Sequence, residues 1–205
     1  MVRRLFVLLS AATALVLFAT PAVASSGYNL FGHAHPVHPG SGSNTAIELR
    51  SVNRNFGGVN FEVASGLTFA DINTLSTDYM FTTGSCGGGA PRFQINVIKP
   101  DGSSANVFVY IGPPPSYVGC PPDIWLNTNN LMLAANPIDT TQLGGPFYDP
   151  AGVAQATYGS YPVTGIQLVT DGGWAQLVGN TQVVQVDDVQ INDATFTFEP
   201  QGNGS

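Results

Sequence analysis

The chain has 205 residues, of which 43% are hydrophobic and only 9% are charged, and its formal net charge is −7. This length suits one domain with a substantial core. Six Lys and Arg residues against 13 acidic ones leave no basic cluster for phosphate backbones, which excludes nucleic acid and most acidic polysaccharides as partners. Neutral ligands and cations remain compatible with this charge. The 24 Gly and 15 Pro favour short strands joined by turns over long helices.

The first 24 residues have the pattern of a signal peptide. Arg3 and Arg4 form a basic start, residues 5–18 form an apolar run, and Ala22–Ala24 form a small-residue cleavage site. The apolar run is shorter than the about 18–20 residues that a membrane-spanning helix needs. We therefore expect a protein exported to the periplasm, the cell surface or the medium, without a membrane span after cleavage. Cleavage would change the net charge to 4 − 13 = −9.

Behind this segment, composition divides the chain into a leader, a domain and a tail. Residues 25–45 are rich in Ser, Gly, His and Pro, and we interpret them as a flexible leader outside the core. Residues 46–200 form the predicted domain, and residues 201–205 are a tail. Alternation of apolar and polar residues predicts strands over 46–52 and 57–64. Turn chemistry near Asp71 then predicts a single helical turn before a strand resumes at 78–82.

The segment from Cys86 to Cys120 contains two strand patterns, over residues 92–98 and 106–111. The turn residues between them predict a hairpin. Because the chain is predicted to be exported, its two cysteines are expected to form a disulfide, with two buried free thiols as the alternative. In the chain-entropy account of disulfides, closing this loop stabilises the folded state by roughly 3–4 kcal/mol.

The remainder of the chain is loop-rich over residues 136–159, with one short strand predicted near residues 153–158, and then returns to strands. Strands are predicted over 162–173, 181–193 and 194–200. Val184 and Val186 alternate out of phase with Val189 and Ile191, which predicts a β-bulge at Asp187–Asp188. At least eight short strands without a long helix predict an all-β, antiparallel β-sandwich of jelly-roll type in one domain.

Catalytic motifs are not apparent. The chain has no GxSxG pattern, and its three histidines lie in the leader, so a Ser–His–Asp triad would need the leader to fold back onto the core. Paired carboxylates for glycoside hydrolysis are available in number, but most aspartates stand in turn contexts. We therefore predict that the protein is not an enzyme, with a hydrolase kept as a further alternative.

Two groups of residues could bind metal. His33, His35 and His38 could offer imidazoles to Zn²⁺ or Cu²⁺, although a Gly- and Pro-rich context also allows an incidental cluster. Asp187 and Asp188 at the predicted bulge, joined by Glu48, could present the oxygen ligands that a structural Ca²⁺ needs. The alternative for the aspartates is a solvent-facing acidic pair.

Aromatic residues in Gly-, Pro- and Asn-rich loops are the remaining candidate binding groups. Trp174, Tyr117 and Trp125 could stack on the apolar face of a sugar while neighbouring amides bind its hydroxyls. The alternative is that a loop tryptophan plugs the end of the sandwich.

The last strands carry a family resemblance. Residues 181–193 (TQVVQVDDVQIND), preceded by residues 165–174 (GIQLVTDGGW), resemble the closing strands of secreted galactose-binding-like jelly rolls, which include many carbohydrate-binding modules. The resemblance covers about Gly165–Asn192, and the chain as a whole looks like an exported bacterial protein. It implies a jelly roll with a structural calcium near Asp187 and Asp188. The predicted function is an exported non-catalytic module for neutral carbohydrate, and the alternative is a structural or adhesive surface protein that binds a matrix component.

Overall fold

A computed structural model of the chain describes residues 27–52, 55–171 and 181–199. These residues form an antiparallel β-sandwich of jelly-roll type in one domain, which confirms the predicted fold class. The strands are β1 (Tyr28–Gly32), β2 (Ala34–Val37), β3 (Ala46–Val52), β4 (Gly57–Phe61), β5 (Leu75–Thr83), β6 (Arg92–Ile98), β7 (Ser104–Tyr110), β8 (Leu126–Asn127), β9 (Pro137–Ile138), β10 (Asp149–Pro150), β11 (Val163–Thr170), β12 (Thr181–Ile191) and β13 (Ala194–Phe196). One α-helix, α1 (Ala151–Tyr158), and two short 3-10 helices, Phe69–Asp71 and Thr141–Leu143, complete the described secondary structure.

Two sheets face each other across the core. The first has the strand order β1-β4-β11-β6-β7, and the second has the order β2-β3-β12-β5-β8, with β13 paired to β12. Strands alternate inward apolar and outward polar residues, as Phe93, Ile95 and Val97 show on β6. The inner faces pack as a continuous apolar cluster in which Phe69, Phe81 and Phe93 are fully buried.

The segment between the two cysteines has the predicted hairpin. β6 and β7 pair in register from Arg92 opposite Tyr110 to Ile98 opposite Ser104. Cys86 and Cys120 form the predicted disulfide, with Cα atoms 5.3 Å apart. The bridge therefore ties the entry of the hairpin to the loop that follows it.

The bulge predicted at Asp187–Asp188 is confirmed. β12 pairs with β5 at Asp187 opposite Asp78 and again at Gln190 opposite Ser76, so β12 gains one residue between these two pairs. Asp188 lies in the left-handed region with φ 44°. The extra residue lets Val186 and Val189 both face the core despite their opposite parity.

The interpretation of residues 25–45 as a leader outside the core needs correction over residues 28–37. These residues form β1 and β2, which are the edge strands of the two sheets. Tyr28 packs edge-on against Phe198, with ring centroids 5.0 Å apart. An edge strand needs a partner on only one side, so a Ser-, Gly- and His-rich segment can add to a sheet that already exists.

The strand expected near residues 153–158 is wrong, because α1 occupies this position. The helix begins directly after Pro150, and Ala151 and Ala154 are buried on its inner side. The single helical turn expected near Asp71 is confirmed by the 3-10 helix Phe69–Asp71. Within the described residues, no helix is long and apolar enough to cross a membrane.

Candidate functional site

The outer face of the five-stranded sheet carries a row of neutral amide side chains. Strand register places Asn29 on β1 opposite Asn60 on β4, Asn60 opposite Gln167 on β11, and Gln167 opposite Gln94 on β6. All four side chains alternate with core residues and therefore point away from the core. With Phe108 opposite Gln94 on β7, the row crosses five strands, about 19 Å at the usual strand spacing. We call the four amides and Asn96 the amide face.

Side-chain hydrogen bonds fix the orientation of four of these amides, those of Asn60, Gln167, Gln94 and Asn96. Gln167 donates from Nε2 to Oδ1 of Asn60 at 2.6 Å, and its Oε1 accepts from Nε2 of Gln94 at 3.0 Å. Gln94 also donates to Oδ1 of Asn96 at 3.2 Å. In the described part of the chain, Nδ2 of Asn60 and Nδ2 of Asn96 donate to no protein acceptor. The face thus presents oriented, unused donors to solvent.

A cleft of about 480 Å³ lies within this face. Its floor includes Gly165 on β11, which lies opposite Asn96 and beside the end of β4. A Cβ atom at Gly165 would lie 3.3 Å from Nδ2 of Asn96, so the missing side chain leaves the hollow open. The lining residues are Asn29, Asn60, Phe61, Glu62, Val63, Asn96, Thr164, Gly165, Ile166 and Gln167.

At the β7 end of the row, Arg92 and Phe108 form a cation–π pair. The guanidinium of Arg92 lies 4.8 Å from the ring centroid of Phe108. Arg92 also donates to the carboxylate of Asp171 at 2.9 Å and to the carbonyl of Gly89, while its Nε has no hydrogen-bond partner among the described residues. The charge of Arg92 is therefore largely offset before any ligand is considered.

Two of the aromatic residues predicted as sugar platforms, Tyr117 and Trp125, lie away from the amide face. Tyr117 is only 6% exposed, and its hydroxyl donates to the carbonyl of Pro137 at 2.8 Å. Burial raises the pKa of Tyr117 to about 12. Its ring packs against Tyr110, with centroids 5.6 Å apart, so Tyr117 is a structural residue of the disulfide loop rather than an open platform.

Trp125 is half-buried directly before β8, at the edge of the second sheet. Trp174 lies outside the described residues, so its role as a platform stays a prediction. The structure therefore does not place Tyr117 and Trp125 on the same surface as the amide face.

Asp187, one of the two aspartates predicted to bind calcium, holds the loop between β2 and β3. Asp187 is fully buried, and its Oδ2 accepts from the amide of Ser41 at 2.8 Å and from the hydroxyl of Ser43 at 2.7 Å. Gly40 allows this close approach, because a Cβ there would lie 2.4 Å from Oδ2 of Asp187. The second carboxylate oxygen, Oδ1, accepts from the amide of Asp188 at 2.8 Å.

The carboxylate of Glu48 lies near His35 instead, with Oε1 3.8 Å from Nε2 of His35. No group of three or more His, Cys, Asp or Glu within the described ranges is arranged to hold a metal ion. His38 lies within hydrogen-bond distance of the carbonyl of Asn44. Calcium binding by Asp187, Asp188 and Glu48 stays a prediction, as does transition-metal binding by His33, His35 and His38.

The replacement Asp188→Asn should stabilise the protein at neutral pH. Burial, and then the charges of Asp187 and Asp78, raise the pKa of Asp188 above its ordinary value. The folded state therefore disfavours the ionised carboxylate of Asp188, which lowers the stability of the fold. This loss of stability is absent at a pH below the pKa of Asp188 in the unfolded chain and complete at a pH above its pKa in the folded protein. Asparagine also tolerates the positive φ at this position.

We expect Asp188→Asn to raise the free energy of unfolding by less than about 1 kcal/mol at neutral pH, an advantage that disappears in acid. Urea unfolding across a pH series measures it. Asp101→Asn is the control, and it should lower the free energy of unfolding at neutral pH. The reason is that hydrogen bonds from the hydroxyl and amide of Ser103 lower the pKa of Asp101. A constant gain for Asp188→Asn at every pH would contradict the electrostatic origin.

Solved structures that are similar to this one include the following two. One is a family 11 carbohydrate-binding module of a cellulosomal cellulase of Clostridium thermocellum, with a TM-score of 0.44, 11% sequence identity, and coverage of 83% of this chain and 89% of that chain. The other is an exo-beta-agarase, with a TM-score of 0.40, 11% identity, and coverage of 85% of this chain but 24% of that chain. This chain thus spans about a quarter of the agarase structure.

No protein-family model matches the chain, and no curated protein sequence matches it. TM-scores and identities this low say nothing about the ligand of this protein.

The amide face was missed by sequence reasoning that looked for aromatic rings and aspartates. In the sequence, these amides are visible as polar residues that alternate with core residues on three strands. Asn60 lies between Val59 and Phe61, and Gln167 lies between Ile166 and Leu168. Gln94 and Asn96 lie between core residues of β6. Only strand register shows that these positions are neighbours.

Proposed function

We propose that the protein is an exported, non-catalytic module that binds neutral carbohydrate on its amide face. The single observation that supports this most is the hydrogen-bonded row of Asn60, Gln167, Gln94 and Asn96 beside an open cleft. Sugar hydroxyls are donors and acceptors, and amides can satisfy both roles without a net charge.

Preorganisation favours binding because the amides are already held by one another. A ligand that uses Nδ2 of Asn60 and of Asn96 does not need to order flexible side chains first. Phe108, half-buried at the β7 end of the row, adds an apolar ring on the same face.

The experiment is a binding assay of the full exported chain against a panel of neutral polysaccharides. We expect at least one polysaccharide to bind, and Gln167→Ala to weaken it about tenfold, the cost of one to two hydrogen bonds in the row. Gln185→Ala is the matched control, because Gln185 points outward from β12 on the opposite sheet. Equal losses for both variants, or no binding to any polysaccharide, would contradict the proposal.

A second candidate function, adhesion or self-association, is favoured by the exposed sheet edges. The consecutive strands β1 and β2 are edge strands of the first and second sheets, so one edge of each sheet lies on the same side of the sandwich. Open edges can pair with another chain. Sedimentation showing a strict monomer over a wide concentration range would reject self-association.

A further inference from the structure

Glu62 gives the cleft a charge that the amide face does not have. It directly follows β4, two residues after Asn60, and therefore points to the same outer face. Of the ten residues that line the cleft, Glu62 alone is ionisable. The hollow above Gly165 thus has a carboxylate on the β4 side and the amide of Asn96 on the β6 side.

The carboxylate of Glu62 is free to meet a ligand. Its side chain is exposed, and within the described ranges it makes no hydrogen bond or ion pair. The cation on this face, Arg92, is already engaged by Asp171 and Gly89. A ligand in the cleft would therefore meet negative charge, in a protein whose net charge is −7.

We propose that Glu62 makes this cleft select amino sugars, that is, glycans with a protonated amine, over neutral counterparts of the same linkage. This inference rests on the proposed function, since it assumes that a glycan occupies the amide face. The amides bind the hydroxyls that both sugars share, and Glu62 adds an ion pair that only the amine can make.

The size of the preference follows from the exposure of Glu62. An ion pair at an exposed position contributes little, so the amino sugar should bind about two- to fivefold more tightly than its neutral counterpart. The difference should shrink at high salt, because salt screens exposed charges. Binding of the neutral sugar should hardly depend on salt.

The test is calorimetric titration with two β-1,4-linked tetrasaccharides, one of glucose and one of glucosamine, at a pH at which the amine is protonated. Wild-type protein should prefer the glucosamine tetrasaccharide at low salt, and Glu62→Gln should bind both tetrasaccharides with equal affinity. Gly165→Gln, which fills the cleft, should lose both.

Each other outcome counts against a specific claim. Binding of the glucose tetrasaccharide without any preference for the amine overturns the role of Glu62 and leaves the proposed function standing. A preference that survives Glu62→Gln also overturns that role. Failure of wild-type protein to bind either tetrasaccharide overturns this inference, while the proposed function is decided separately by the panel of neutral polysaccharides.

Discussion

Replacement of Gly165 by glutamine should reduce glycan binding at least tenfold while the protein stays folded. Gly165 lies on the floor of the cleft between the β4 and β6 sides, and its backbone conformation is one that other residues adopt. The nearest atom to an added Cβ is Nδ2 of Asn96, at 3.3 Å. A glutamine side chain would therefore occupy the volume that a sugar needs and compete for the donor of Asn96.

Two controls separate this steric effect from a loss of structure. Gly165→Ala adds only one methyl group and should weaken binding less than Gly165→Gln. Thr82→Gln introduces the same side chain on β5, on the outer face of the opposite sheet, and should leave binding unchanged. Wild-type affinity in a folded Gly165→Gln variant would show that the ligand binds elsewhere.

Removal of the disulfide should have the largest effect on stability. Cys86 and Cys120 are 34 residues apart, and opening a loop of this length costs about 4 kcal/mol in the chain-entropy account. For a domain of this size the double variant Cys86→Ala/Cys120→Ala should melt roughly 10 °C lower. Thermal unfolding followed by circular dichroism measures the change.

Reduction of the wild-type protein distinguishes the cross-link from side-chain packing. Because both cysteines are buried, alanine also removes packed sulfur atoms, whereas reduction retains them. Reduced wild-type protein should therefore lose most of the stability that the double variant loses. If reduction leaves the melting temperature unchanged, the bridge does not stabilise the fold.

The strands of the sandwich could be predicted from sequence because a half-buried strand alternates visibly. Residues 92–98 place Phe93, Ile95 and Val97 inside and polar residues between them, and the structure follows this pattern. The phase change between Val186 and Val189 also located the bulge. In these cases the core dictates each position, so local pattern and tertiary structure agree.

Edge strands and the short helix could not be predicted in the same way. β1 and β2 are held by pairing with β4 and β3, and their composition resembles a linker. Residues 151–158 include Val153, Thr157 and Tyr158, which suit a strand, but burial of Ala151 and Ala154 favours the helix. Tertiary context overrides propensity in short segments.

The candidate site was the least predictable feature because it depends on register. Asn60, Gln94 and Gln167 are up to 107 residues apart in sequence and become neighbours only when β4, β11 and β6 pair. Tyr117 looked like an open ring, yet its burial depends on the disulfide loop and Tyr110. Residue type alone did not separate a structural ring from a binding surface.

The most direct measurement of the central claim is an NMR titration of the side-chain amide signals with a neutral oligosaccharide drawn from the bound polysaccharide. The NH₂ signals of Asn60, Gln94, Asn96 and Gln167 should shift on addition of the sugar. The NH₂ signals of Asn130 and Asn136, which donate to backbone carbonyls away from this face, should stay unchanged. Shifts confined to residues outside the amide face, with the four amides unmoved, would contradict the account.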